Sequence, residues 1–132
     1  PIPLRQGRRV LVLGDLVVTA APVVHGENET LALRLEEPAT GRAIVYSADT
    51  EPCPALVQLA AGADLLLHEA TSGPPAHSSP EQAAEGARES GVAKLALIHY
   101  PVHGVDLEGW RRRAAGFPGR VSLARDGDVY PL

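Results

Sequence analysis

Residues 43–49 read Ala43-Ile44-Val45-Tyr46-Ser47-Ala48-Asp49, a short apolar run that stops at a carboxylate with Thr50 and Glu51 just behind it. The arrangement recurs twice. Asp64-Leu65-Leu66-Leu67 runs into His68-Glu69, and Lys94-Leu95-Ala96-Leu97-Ile98 runs into His99. Short runs apolar on successive positions fit strands buried on both faces, the type found inside parallel sheets. Each run hands an acid/base or metal-competent side chain to whatever follows it.

The segments between these runs predict helices. Pro54 to Gly62 reads as a short helix ending in glycine. Ser79-Pro80-Glu81-Gln82 combines an N-cap serine, a proline at the first helical position and a glutamine where a capping box needs it. That helix is expected to run to about Ser90, with Gly91 closing it. A third helix is expected from about Asp106, as N-cap, to Ala115.

Upstream the pattern is antiparallel. The β-rich runs 9–13 and 16–20 flank Gly14-Asp15, a two-residue hairpin signal. Pro22-Val23-Val24 ends at His25, and a polar loop is expected after it. Thr30 to Glu36 alternates as a half-buried strand does. Downstream, 120–124 and the short stretch Val129-Tyr130 read as strands around an Asp126-Gly127 turn. Arg5, Arg8 and Arg9 read as a solvated strand end. The expected fold class is α/β: one mixed sheet, antiparallel in its first third and parallel through its βαβ units, with helices on one face.

Composition narrows the function. At 132 residues the chain is one domain, and 45% hydrophobic residues suffice for a core. No run is long enough to span a bilayer as a helix. A net charge of −4 with 4% aromatics excludes a broad basic, stacking nucleic-acid surface. Cys53 is the one cysteine, so no intrachain disulfide forms and a cytoplasmic location is the expectation. No P-loop or dinucleotide fingerprint is present.

Parallel strands align their carboxyl ends, and ligands bind beyond those ends. Asp49, His68 with Glu69, and His99 therefore converge, His25 can join them, and His77 lies in the loop covering that edge. Imidazoles and carboxylates on one rim suit zinc or manganese, and the matching chemistry is metal-assisted hydrolysis. A Ser47–Asp49–His99 triad is the competing arrangement, and it lacks a nucleophile elbow. The plainer alternative makes Asp49 a cap of the following helix, His68 and His99 core histidines, and Glu69 a solvated residue.

The strings Tyr46-Ser47-Ala48-Asp49-Thr50, Ala63-Asp64-Leu65-Leu66-Leu67-His68-Glu69-Ala70-Thr71, His77-Ser78-Ser79-Pro80-Glu81-Gln82-Ala83-Ala84 and Leu97-Ile98-His99 together resemble the second half of metallo-β-lactamase-fold hydrolases, nearest the ribonuclease Z-like branch. The resemblance covers roughly residues 9–130. It implies half of an αββα sandwich and a phosphodiester-cleaving hydrolase. It further implies His25, Asp49 and His99 as metal ligands, with Asp49 bridging two ions of zinc or manganese. It makes His77 the group that assists proton transfer, with His68 and Glu69 shaping the site without binding metal.

Ala48 stands where the family usually carries glycine, and Ser79-Pro80 where Thr-Ala is common. The His-x-His-x-Asp-His loop that supplies further ligands is not in the chain, and neither is room between His25 and Asp49 for a tRNA-gripping arm. The resemblance thus implies that the chain is a C-terminal half, partnered by an N-terminal half or a complementing chain, with an apolar sheet face left uncovered. A phosphodiester or nucleic-acid substrate is expected. The second reading is a non-catalytic half-domain that pairs with itself or a partner through that face. The upstream reading frame separates the two: an in-frame His-x-His-x-Asp-His loop is expected before Pro1, and its absence would remove the hydrolase reading in this form.

Overall fold

The computed structural model describes residues 9–132, with side chains from Val12 onward except Leu13. Arg5 and Arg8, and the side chain of Arg9, lie outside what is described. Seven strands form one sheet in sequence order: β1 (Arg9–Leu13), β2 (Leu16–His25), β3 (Asn28–Glu37), β4 (Arg42–Tyr46), β5 (Leu65–Glu69), β6 (Lys94–Ile98) and β7 (Arg120–Leu123). The pairs from β1 to β4 are antiparallel. Those from β4 to β7 are parallel, each parallel step spanning a helix: α1 (Pro54–Ala60), α2 (Pro80–Ser90) and α3 (Leu107–Arg113). The expected mixed sheet is the one observed.

Two boundaries differ from expectation. The polar, glycine-containing loop after His25 is present but shorter than expected, because His25 pairs directly with Asn28 and only Gly26-Glu27 turns the chain. Gly26 takes a left-handed φ of 56°, which a tight turn uses and glycine adopts without a Cβ penalty. Pro22 is tolerated within β2 because it lies beyond the last residue that pairs with β1 among the described residues, where its missing N–H costs no ladder bond. The second difference is at the C-terminus. Val129-Tyr130 is not a strand. Asp128 instead accepts the Arg125 N–H, Val129 is 89% exposed, and the chain end is held by Lys94 Nζ donating to the Pro131 carbonyl. Two residues released from a turn have too few backbone groups to extend the ladder.

Side-chain alternation sorts the sheet into two faces. Ala32, Ala43, Val45, Leu66, Leu95 and Leu97 join Leu56 and Leu59 of α1 and Ala83, Ala84 and Ala87 of α2 in one core. The small alanines of α2 let that helix lie close on the sheet. Trp110 of α3 packs against the same core and donates its indole N–H to the Ala70 carbonyl at 2.9 Å. Leu33, Ile44, Tyr46, Leu67 and Ile98 alternate to the opposite face, where they are only partly buried and Tyr46 is 40% exposed. No helix covers them among the described residues.

The helix signals act as read for α2. Ser79 Oγ accepts the Gln82 N–H, Gln82 Oε1 accepts the Ser79 N–H, and Gly91 closes the helix at φ 66°. Asp106 occupies the N-cap position of α3 but makes no capping bond, and its carboxylate accepts from Arg112 instead. Arg111 pairs with Glu108 and Arg113 with Glu81, so this basic triplet is an ion-paired surface. Ser79→Ala is expected to destabilise the chain by about 1 kcal/mol. A lower urea midpoint with an unchanged slope is the expected readout.

Candidate metal centre

The carboxyl ends of β4, β5 and β6 lie side by side, and the loops leaving them carry the site. Asp49, three residues past β4, places Oδ1 2.8 Å from Nδ1 of His99, the first residue past β6. His77, from the β5–α2 loop, completes the group. One donor atom each from Asp49, His77 and His99 lies within 4.8 Å of the others. Two imidazoles and a carboxylate at that span fit a divalent ion of the zinc class. The Asp49 Oδ1 and His99 Nδ1 atoms in contact are themselves potential ligand atoms, so a cation held there would replace their contact with each other.

His25 stands beside this group. Its ring meets that of His77 edge-on with centroids 4.9 Å apart, and His77 meets His99 at 5.6 Å. Its Nδ1 lies 2.7 Å from the Ala76 carbonyl. A carbonyl only accepts, so Nδ1 carries the proton and Nε2 keeps its lone pair for a ligand.

Glu69 lies behind the cluster and is 0% exposed. Its Oε1 accepts the N–H groups of Thr50 (3.1 Å) and Ser78 (2.9 Å) and faces His77 Nδ1 at 3.0 Å, while Oε2 accepts the Thr71 N–H at 2.9 Å. Burial pushes this carboxyl up, but the N–H donors of Thr71, Ser78 and Thr50 outweigh it and hold it below the ordinary carboxylate range. Glu69 is neither solvated nor a surface group: it ties the β4 loop to the β5–α2 loop.

His68 is on the other side of the sheet. Consecutive strand residues face opposite ways, so Glu69 toward the loops puts His68 toward the helices. It is 2% exposed and its Nδ1 donates to the Glu69 carbonyl at 2.7 Å. A Cβ on Gly86 of α2 would stand 3.9 Å from its Nε2. Burial pushes its pKa down, against the opposing pull of the Glu69 carbonyl and charge. The structure therefore brings Asp49, His77 and His99 together, sets His25 beside them and Glu69 behind them, and separates His68 from them.

The competing arrangements do not form. Ser47 is fully buried, donating to the Ala48 carbonyl and accepting the Glu69 N–H, so it presents no nucleophile. Asp49 does not cap α1, whose N-cap is Cys53 without a side-chain bond. Two contributors escaped the sequence reading. Thr71 Oγ1 donates to the His99 carbonyl at 2.7 Å and sits 3.1 Å from His99 Nδ1. Glu51 accepts the Ala76 N–H. Thr71 lies within the quoted His-Glu-Ala-Thr string, which was a usable signal; Glu51 is a loop residue with none.

Backbone strain is concentrated here. The three non-glycine residues with left-handed φ among those described are Ala48 (54°), Ala76 (72°) and His99 (49°). Each is a site residue or directly precedes one. A left-handed L-residue costs roughly 1–2 kcal/mol, so surrounding contacts must hold it. Ala48 sits where a glycine relieves that cost.

A mixed sheet with helices on one face and a His/Asp cluster at the carboxyl ends of its parallel strands defines a metallo-β-lactamase-type half-sandwich. The family model for the beta-lactamase superfamily domain matches residues 2–100, and the chain belongs to that family, on its ribonuclease Z-like side. It is 44% identical over 81 residues to a ribonuclease Z of Brevibacillus brevis, covering 55% of this chain and 26% of that protein. It is 40% identical over 108 residues to a ribonuclease Z of Myxococcus xanthus, covering 74% and 35%. Among solved structures, the metallo-beta-lactamase fold protein YhfI of Bacillus subtilis superposes with a TM-score of 0.81 at 27% identity, over 91% of this chain and 51% of that one. The short form of human tRNase Z gives 0.64 at 25%, over 89% and 43%. The chain thus spans about half the length of these relatives or less.

His68 leads to a pH prediction. The unfolded chain takes up a proton on this imidazole as pH falls through about 6.5. The folded chain resists until lower pH. Within that window the unfolded state binds more protons, so stability falls as pH drops. His68→Phe should flatten the fall between about pH 7.5 and 5.5. Parallel urea-stability profiles for the two proteins would contradict the buried, neutral imidazole.

Proposed function

We propose that this chain is the C-terminal half of a metal-dependent hydrolase that cleaves phosphodiester bonds. The observation that carries the proposal is the convergence of Asp49, His77 and His99 at the ends of parallel strands, with Glu69 buried against His77. Asp49, His99 and His25 are the residues of this chain that would hold the divalent ions, two of zinc or manganese in the complete protein. The remaining ligands are assigned to an N-terminal half, in the same polypeptide or a complementing chain, and that half would cover the apolar sheet face. Such ions supply electrophilic activation of a phosphate and of an attacking water.

The chain's own residues do the rest. Asp49 anchors the β4 loop to the β6 loop through His99. The Glu69 carboxylate fixes His77 with Nδ1 protonated. His77 can then carry a second proton on Nε2 and give it to the leaving oxygen. Thr71 holds the turn that aims His99. The interval from Gly26 to Ala48 is filled by two short turns and strands β3 and β4. That leaves no tRNA-gripping arm, and it favours a smaller phosphodiester substrate over a tRNA precursor. The single cysteine suits a cytoplasmic location, and among the described residues no helix is long and apolar enough to cross a membrane.

The uncovered sheet face supports a second reading, in which the half-domain pairs with itself or a partner without catalysis. In a polypeptide containing both halves, Asp49→Ala should abolish phosphodiester hydrolysis and metal occupancy while leaving the circular dichroism spectrum intact. His77→Ala should lower the catalytic rate by about 10²–10⁴ with metal retained. Metal loss in the His77 variant would make it a ligand, unchanged turnover in the Asp49 variant would refute its role, and no phosphodiester hydrolysis by the unsubstituted two-half protein would favour the non-catalytic reading.

A further inference from the structure

Glu51 lies at the centre of a set of contacts that the proposed roles leave unexplained. Its N–H donates to the Val24 carbonyl at 2.6 Å, docking the Asp49 loop on the end of β2. Its Oε1 accepts the Ala76 N–H at 2.9 Å. The Ala76 carbonyl in turn accepts Nδ1–H of His25 at 2.7 Å. Both ends of the Ala76 residue are thereby held, one by a carboxylate and one by an imidazole. Ala76 has a φ of 72°, which an alanine keeps only when its surroundings impose it, and the next residue is His77.

We propose that Glu51 is a positioning residue for the site. It holds Ala76 in its left-handed conformation, which fixes the Nδ1–H tautomer of His25 and delivers His77 to Asp49 and His99. This rests on the hydrolase reading for its functional meaning and on the contacts alone for its geometry. The role requires an acceptor of the right reach. Glutamine keeps the carbonyl oxygen at that reach; aspartate falls one methylene short, and alanine has no acceptor. Partners that orient a metal-binding histidine through its other nitrogen are worth about 10- to 100-fold in metal affinity or activity.

The test is histidine tautomer state by long-range ¹H–¹⁵N correlation on the chain itself, without metal. It is run near pH 8.5, about two units above an ordinary imidazole pKa of about 6.5. Wild type and Glu51→Gln should show His25 as the Nδ1–H form. Glu51→Ala and Glu51→Asp should shift it toward the Nε2–H form that free histidine prefers and move the His77 resonances, while buried His68 on the opposite face stays unchanged. Wild-type His25 and His77 signals in the alanine and aspartate variants would overturn the proposal. Displaced His68 signals in both would also do so, because Glu51 would then support the fold and not the site. Hydrolysis in the two-half protein, reduced by Glu51→Ala and restored by Glu51→Gln, is the functional counterpart. No hydrolysis at all, with the expected tautomer response, would defeat the hydrolase reading and leave the positioning role intact.

Discussion

The buried carboxylate of Glu69 is the interaction on which the site depends. A carboxylate withdrawn from water is costly unless its lone pairs are met. Here three backbone N–H groups and one imidazole meet them. These donors come from two loops that share no secondary structure. Satisfying one charge therefore brings Thr50, Thr71, His77 and Ser78 to a common point. Ser47 extends the arrangement inward by accepting the Glu69 N–H, and Ser78 Oγ extends it outward by donating to the Thr50 carbonyl. Among the described residues no fully buried side-chain polar atom lacks a partner, as a polar network at this depth requires.

That network also accounts for where strain is tolerated. Left-handed backbone at Ala48, Ala76 and His99 would relax in an isolated loop. Each is held by bonds that cross between loops: Ala76 by Glu51 and His25, His99 by Thr71 and Asp49, and the Ala48 turn between the β4 ladder and the Glu69-anchored Thr50. The strands end rigidly on a parallel ladder, and the loops turn sharply from there to converge on one rim. This gives short, stiff arms to the donor atoms of Asp49 and His99, the condition under which a small number of ligands can be pre-organised.

The same sheet presents two unlike faces. One is closed by three helices around a core of alanine, leucine and valine. The other carries partly buried leucine, isoleucine and tyrosine side chains with no helix over them among the described residues. A face of that composition is rarely left in water, and the chain spans about half the length of the relatives described above. The sheet supports the strand-end site from within, while its second face carries fully buried Leu65 and Ala96 beside the partly buried side chains.

Much of the fold was legible because it is written in local, periodic terms. Apolar runs at 43–47, 64–68 and 94–98 are short and bounded by turn signals, as buried strands are, and Ser79-Pro80-Glu81-Gln82 with Gly91 specified α2 at both ends. Parallel pairing then aligned Asp49, His68 with Glu69, and His99 at one edge, of which His68 turned out to face the helices. Long-range contacts were not legible. The sequence reading placed His68 with Glu69 on the rim; strand alternation puts the two on opposite faces, and which one faces the site depends on which side the helices pack. His77 reaches the cluster, and Glu51 reaches Ala76, through aperiodic loops whose paths are set by buried hydrogen bonds and not by propensity. Val129-Tyr130 had strand-like residues but no ladder to join. Local sequence set the elements and which residues end the parallel strands, because hydrophobic period and capping act within a few residues. Which side chains meet at the rim depends on the assembled fold, because the partners of Glu69 and Glu51 lie on different loops and come together only when the sheet has formed.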